Sequence, residues 1–327
     1  MKTVLTLDAG GIRGIIPLMI LSEIEKRTGL TISELFDVVG GCSSGGIIAA
    51  AITSTDDGKT PKYKAEEILE LFKTLGGKIF DRTLWHTIKS GFGLWGTKYQ
   101  SKNVAKVLNN VYNNGTVSDN LTELVLTAYD LETGRPFVMS SFNENRNKIR
   151  IKDAVAGTTC VPSFFTPHKV RESDGSEHVL IDGGVFAVNP SACVYGEAIE
   201  YFREPVVMIS LGTGEVKKEM FPDRVKNWGI IQWLWNLRVL KILTDGTLDV
   251  IDDVIGSTLS KRKDAYYKRL QPIVSPKVFA SIDAVSEKDV NSIIEVGQKF
   301  IDNNDSLIQE ICEKLQKAYE IRKEHNS

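Results

Sequence analysis

The feature that most constrains this chain is Gly41-Cys42-Ser43-Ser44-Gly45, a G-x-S-x-G run between two apolar stretches. Phe36-Asp37-Val38-Val39 before it reads as a buried strand, and Gly46-Ile47-Ile48-Ala49-Ala50-Ala51-Ile52 after it reads as a helix. A strand that passes into a helix through such a run must bend sharply, and only small residues fit where the two elements cross. The bend leaves the Ser43 side chain projecting at the helix end that favours negative charge. Cys42 is expected to point elsewhere. A small-residue packing turn uses the same pattern, so the run nominates Ser43 as a nucleophile without fixing that role.

Two further junctions bear on it. The strand pattern Thr3-Val4-Leu5-Thr6-Leu7 leads into Asp8-Ala9-Gly10-Gly11-Ile12-Arg13-Gly14, and a helical run begins at Ile15. Consecutive glycines here leave backbone amides free to face a developing oxyanion, which makes Gly10 and Gly11 candidates, together with the amide of Ser44. Arg13 either adds positive charge there or anchors the loop by pairing with a carboxylate. Dinucleotide binding would need glycine at position 9, which is Ala9, and no strand ending in an acidic residue follows at the required distance. The second junction is Val179-Leu180-Ile181-Asp182-Gly183-Gly184, a strand pattern that ends in a carboxylate and two glycines.

A serine hydroxyl needs a base. Of the four histidines, His325 lies in the polar C-terminal tail and His86 in a segment with no strand end to hold it rigid, whereas His168 and His178 read as surface or loop positions from which either could approach the site. Asp182 is better placed, and a partly desolvated aspartate gains the proton affinity a base requires. Capping the turn before Gly183 is its alternative role.

Taken in order, Asp8 to Gly14, Gly41 to Gly46 and Asp182-Gly183-Gly184 resemble the patatin-like phospholipases. The blocks Thr127 to Gly134, Ala156 to Phe165, Asn189-Pro190 and Ser210 to Gly214 are similar as well. The likeness spans about residues 1–215. Ala9 stands where that family usually has glycine, and Cys42 and Ser44 stand where threonines are common. The resemblance implies a lipid acyl hydrolase with a Ser43–Asp182 dyad and no catalytic histidine. Gly10, Gly11, Arg13 and Ser44 would form the oxyanion hole, with Asp8, Gly14, Gly41, Gly45, Gly183 and Gly184 as motif support. It implies no metal and no cofactor, and a phospholipid, lysophospholipid or other lipid ester as substrate. Two variants stay open: a ligand-activated bacterial phospholipase effector, as in cyclic-nucleotide-triggered defence, and an acyltransferase using the same acyl-serine.

The alternation of strand and helix patterns predicts an α/β fold, a three-layer α/β/α arrangement with a mostly parallel central sheet. Residues 1–215 would form the catalytic core, and residues 216–327 an extension of helices packed on it in one continuous domain. A chain of 327 residues, 42% hydrophobic, is sufficient for this. The formal net charge of -2 gives no basic surface for a nucleic acid polymer. The four cysteines are scattered, as reduced thiols would be. No apolar leader precedes the first strand, and no apolar run reaches the roughly 18 residues of a membrane span. A cytoplasmic location with peripheral membrane contact is therefore expected.

Two segments carry alternatives. Ser90 to Gly96 reads either as a mobile cap or as an ordinary loop. The stretch Trp228 to Leu237 holds three of the five tryptophans and suits a lipid interface, a core helix or a partner contact. Ser286 to Glu324 predicts two amphipathic helices broken near Asn303-Asn304, with Ile293, Ile308, Ile311 and Leu315 facing inward.

Overall fold

Val206–Leu211 and Lys2–Leu7 are buried on both faces along almost their whole length, which suits strands covered by helices above and below, and they pair in parallel as neighbours in the sheet. The computed structural model describes residues 1–79, 97–112, 114–216, 229, 238–280, 283 and 285–326. Its strands are β1 (Lys2–Leu7), β2 (Val38–Cys42), β3 (Glu123–Asp130), β4 (Arg135–Ser140), β5 (His168–Arg171), β6 (Glu177–Asp182), β7 (Val206–Leu211), β8 (Glu215–Val216), β9 (Ala265–Leu270) and β10 (Ile273–Val274). Eight of them form the central sheet, in the order β5-β6-β3-β2-β1-β7-β9 with β4 also on β3. The run from β3 to β9 is parallel, whereas β4, β5 and β6 pair antiparallel. β8 and β10 make a separate two-stranded sheet.

Alternate residues of each strand feed two cores. Leu5, Leu7, Val39, Leu124, Leu126, Ile209 and Leu211 pack with the helices Ile15–Thr28, Ser44–Thr53, Ile151–Thr159 and Glu287–Asn303. Val4, Val38, Val125, Val206 and Met208 pack on the opposite side with Val194, Ile255 and Leu259 of the helices Ser191–Glu197 and Arg238–Ser260. These two helical layers and the sheet between them are the three-layer α/β/α arrangement expected.

The C-terminal helices Glu287–Asn303 and Asp305–Asn326 break at Asn304, and Ile293, Ile308, Ile311 and Leu315 are buried as the periodicity predicts. The part after residue 215 is more than helices, however, because β9 adds an edge strand to the main sheet. Its sequence, AYYKRL, is only half-buried and lacks the continuous apolar run of the central strands. Ser90 to Gly96 and almost all of Trp228 to Leu237 lie outside the described residues. No described helix is long and apolar enough to cross a membrane.

Candidate active site

Strand pairing brings Ser43 and Asp182 together. Thr127 of β3 pairs with Cys42 of β2 and, across its other edge, with Val138 of β4. The next residue, Ala128, pairs with Asp182 of β6 and with Phe137 of β4. β2 and β6 therefore share one edge of β3, approach from opposite directions and end against each other. Ser43 is the residue after the end of one, and Asp182 is the last residue of the other.

Ser43 has φ 53 and ψ -120, a left-handed backbone state that costs a non-glycine residue about 1–3 kcal/mol and persists only when its surroundings enforce it. Its amide donates to Thr158 Oγ1 at 3.0 Å, and the Thr158 hydroxyl donates to the Thr127 carbonyl at 2.6 Å. Its carbonyl accepts the Ile47 amide at 3.0 Å, which starts the helix Ser44–Thr53. A side chain at Gly45 would collide with the Leu7 carbonyl, and one at Gly41 would collide with the Gly45 backbone. The bend is thus pressed against the end of β1, where the first glycine loop begins. Thr158 was legible only as part of a small-residue block; its bridge between the bend and β3 depends on a fold contact with no local sequence mark.

Asp182 is 4% exposed. Burial raises its pKa from 3.8 to about 6, against the opposing effects of the Ser43 hydroxyl and the Gly184 amide. Oδ1 accepts the Gly184 amide at 2.6 Å, and the Cys42 thiol lies 4.0 Å from the same oxygen. Cys42 thus turns toward the carboxylate and forms no part of the cavity wall that Ser43 and Ser44 line. Oδ2 is buried and makes no full hydrogen bond among the described residues, so it remains open to the serine. Gly183 packs so tightly on the Thr127 carbonyl that no side chain fits, and Gly184 faces Ala9 of the first glycine loop. The described histidines are engaged elsewhere: His168 with Asp153 at 3.1 Å, His178 with Asp130 at 2.9 Å and His325 with the Ile321 carbonyl at 2.7 Å.

In the glycine loop, Gly11 has φ 59 and opens a short 3-10 turn, Gly11–Gly14, whose last residue packs on Phe72. The Ala9 amide is used by the Val188 carbonyl, whereas those of Gly10 and Gly11 form no hydrogen bond among the described residues. Ser44 is buried at the first helical position, and its Oγ has no partner there either. The Arg13 side chain is committed to the Gly214 carbonyl at 3.1 Å and to the face of Phe279 at 4.4 Å. It anchors the loop, through a carbonyl rather than a carboxylate, and burial lowers its pKa to about 10. The buried carboxylate of Asp8 is held by Arg269, with Nη2 to Oδ2 at 2.6 Å. Burial raises Asp8 and Arg269 opposes the rise. Arg269 gave no sign in the sequence, being one cation in a half-buried edge strand.

Gly11, Ile12, Ser43 and Ser44 form one wall of a cavity of about 120 Å³. Mainly apolar side chains line the rest, among them Ile47, Ala51, Phe72, Leu108 and Phe165. A buried carboxylate, a serine on a strained bend and unpaired amides beside an apolar cavity can together carry acyl transfer from an ester whose acyl part is apolar.

The profile of the Patatin-like phospholipase family matches residues 5–192. The chain is 28% identical to "Probable inactive patatin-3-Kuras 1" of Solanum tuberosum, over 92% of this chain and 86% of that protein. It is 27% identical to "Patatin-like protein 2" of Oryza sativa subsp. indica, over 94% and 85%. Among solved structures it is similar to VipD from Legionella pneumophila, with 12% identity, 91% of this chain and 67% of that chain covered and a TM-score of 0.35. One of these relatives carries an inactive name. By the reach of the family profile and the strand-to-helix bend it contains, this chain belongs to the patatin-like phospholipase family.

Proposed function

We propose that the protein is a serine lipid acyl hydrolase that cleaves carboxylic ester bonds of phospholipids or lysophospholipids, with Ser43 as nucleophile and Asp182 as base. The observation that carries this reading is the buried Asp182 carboxylate, which has an open Oδ2 and a pKa near 6 and sits where β2 and β6 meet beside Ser43.

In the first step Asp182 takes the Ser43 proton as Oγ attacks the ester carbonyl. The amides of Gly10, Gly11 and Ser44 receive the oxyanion. Collapse of the tetrahedral intermediate breaks the ester bond, and the alcohol leaves with the proton held by Asp182. Water then attacks the acyl-serine, giving a proton to Asp182, and release of the fatty acid returns that proton to Ser43. Arg13 keeps the loop in shape. The apolar cavity beside Ser43 favours an acyl chain there.

The test is turnover by purified protein of a short-chain p-nitrophenyl ester and of a mixed phospholipid extract. Fatty acid release that disappears in Ser43→Ala is the expected result. Equal release by Ser43→Ala would contradict the proposal.

A further inference from the structure

We propose that Arg269 is a positioning residue for the oxyanion loop, acting through Asp8. This rests on the reading of that loop given above, and it extends the functional unit beyond residue 192, where the family match ends.

Asp8 is the first of the two residues between β1 and the glycines. Arg269 comes from β9, which is separated from β1 by β7. The pairing register aligns Thr6, Ser210 and Arg269 in one row across the three strands. From the end of that row the guanidinium reaches over β7 and grips Asp8 with two prongs, Nη2 to Oδ2 at 2.6 Å and Nη1 to Oδ1 at 3.2 Å. Nη1 also donates to Ser210 Oγ at 2.8 Å. Ser210 is in turn met by the Ser191 hydroxyl at 3.3 Å, and Ser191 and Thr6 share a hydrogen bond of 2.8 Å. The fork is therefore fixed from behind as well as in front.

Just past Arg269 the same strand end braces the loop a second time. The Leu270 carbonyl accepts the Gly212 amide at 2.9 Å, and Gln271 Oε1 accepts the Gly214 amide at 3.1 Å. The turn they hold donates from Thr213 Oγ1 to the Ala9 carbonyl at 2.8 Å. Asp8 and Ala9, the two residues ahead of Gly10, are thus both clamped from β9.

A buried ion pair is a poor source of net stability, because desolvation offsets most of the attraction. A two-pronged guanidinium does fix direction, which a lysine cannot. Direction is what a glycine-containing loop lacks and what an oxyanion hole needs, since its amides must be in place before charge develops. Misplacement by about 1 Å can cost on the order of 100-fold in rate.

The experiment measures kcat, KM and melting temperature on a soluble ester for the native chain, Ser43→Ala, Arg269→Gln, Arg269→Lys and the double variant Asp8→Asn with Arg269→Gln. Positioning predicts that Arg269→Gln lowers kcat about 10- to 100-fold with KM within about twofold. Arg269→Lys should lie between it and the native chain. The double variant, with no stranded buried charge, should regain melting temperature while kcat stays low. If kcat returns along with melting temperature, Arg269 is only structural and the proposal is overturned. Should Arg269→Gln fail to fold, Ser210→Ala keeps the ion pair and removes its third support. A several-fold fall in kcat at constant KM is then expected, and an unchanged kcat would overturn the proposal. Turnover that survives in Ser43→Ala would instead contradict the reading of the site itself.

Discussion

Cys42 and Asp182 stand opposite consecutive residues of β3, Thr127 and Ala128, and the Cys42 thiol points at Asp182 Oδ1 across 4.0 Å. Burial and the neighbouring carboxylate keep that thiol protonated, so it can act only as a weak donor to the base. In the proposed mechanism ester turnover requires ionised Asp182, so kcat/KM should fall about tenfold per pH unit below a pKa of about 6 and level off above it. Cys42→Ala removes one favourable contact with the charged form, and the acid limb should move to higher pH. A pH–rate profile from pH 4 to 9 checks both expectations.

The same carboxylate should make the fold pH-dependent in an unusual direction. The pKa of Asp182 is raised on folding from 3.8 to about 6, so the folded state holds the proton more tightly. Its contribution to stability is fully present below about 4 and is lost as pH rises through about 6. The full rise corresponds to about 3 kcal/mol for this buried group. Asp182→Asn, neutral at every pH, should therefore be more stable than the native chain by about 1–3 kcal/mol at pH 8 and converge with it near pH 4. Denaturant titrations at the two pH values measure this.

Thr158 bridges the Ser43 amide and the Thr127 carbonyl. Thr158→Val keeps the shape and strands both partners, which should cost about 1–3 kcal/mol of stability. Because the left-handed state of Ser43 depends on that support, kcat should fall about 10- to 100-fold with little change in KM. A variant with full activity and lowered stability would separate the bridge from catalysis.

Ser44, Ile47 and Ala51 lie three and four residues apart on the helix that starts at Ser43, and all three line the cavity. Ala51 is about 10 Å beyond Ser44 at 1.5 Å per residue, deep in the cavity as seen from the nucleophile. Ala51→Leu should abolish turnover of long-chain esters while leaving acetyl and butyryl esters nearly unaffected. A chain-length series of p-nitrophenyl esters reads this directly, and a uniform loss across the series would count against the assignment of the cavity.

Some of this geometry is written locally in the sequence and some is not. The bend at Ser43 was legible because it excludes side chains at Gly41 and Gly45, and that requirement leaves its mark in adjacent residues. Asp182 was legible as the end of a strand pattern. The antiparallel direction of β6, which sets Asp182 against β2, is a pairing over many residues that no local pattern encodes. Arg269 and Thr158 were missed for the same reason, since each acts through a partner far away in the chain. Arg13 was found, but the direction of its side chain depends on Gly214 and Phe279, which the loop sequence does not contain.

The convergence of Ser43 with the Asp182 carboxylate is tested most directly by covalent labelling with a fluorophosphonate, read by peptide mass spectrometry. One adduct is expected, on the peptide carrying Ser43, formed rapidly by the native chain and at least about 100-fold more slowly by Asp182→Asn. Labelling of Ser43 at an equal rate in Asp182→Asn, or an adduct on a different residue, would contradict it.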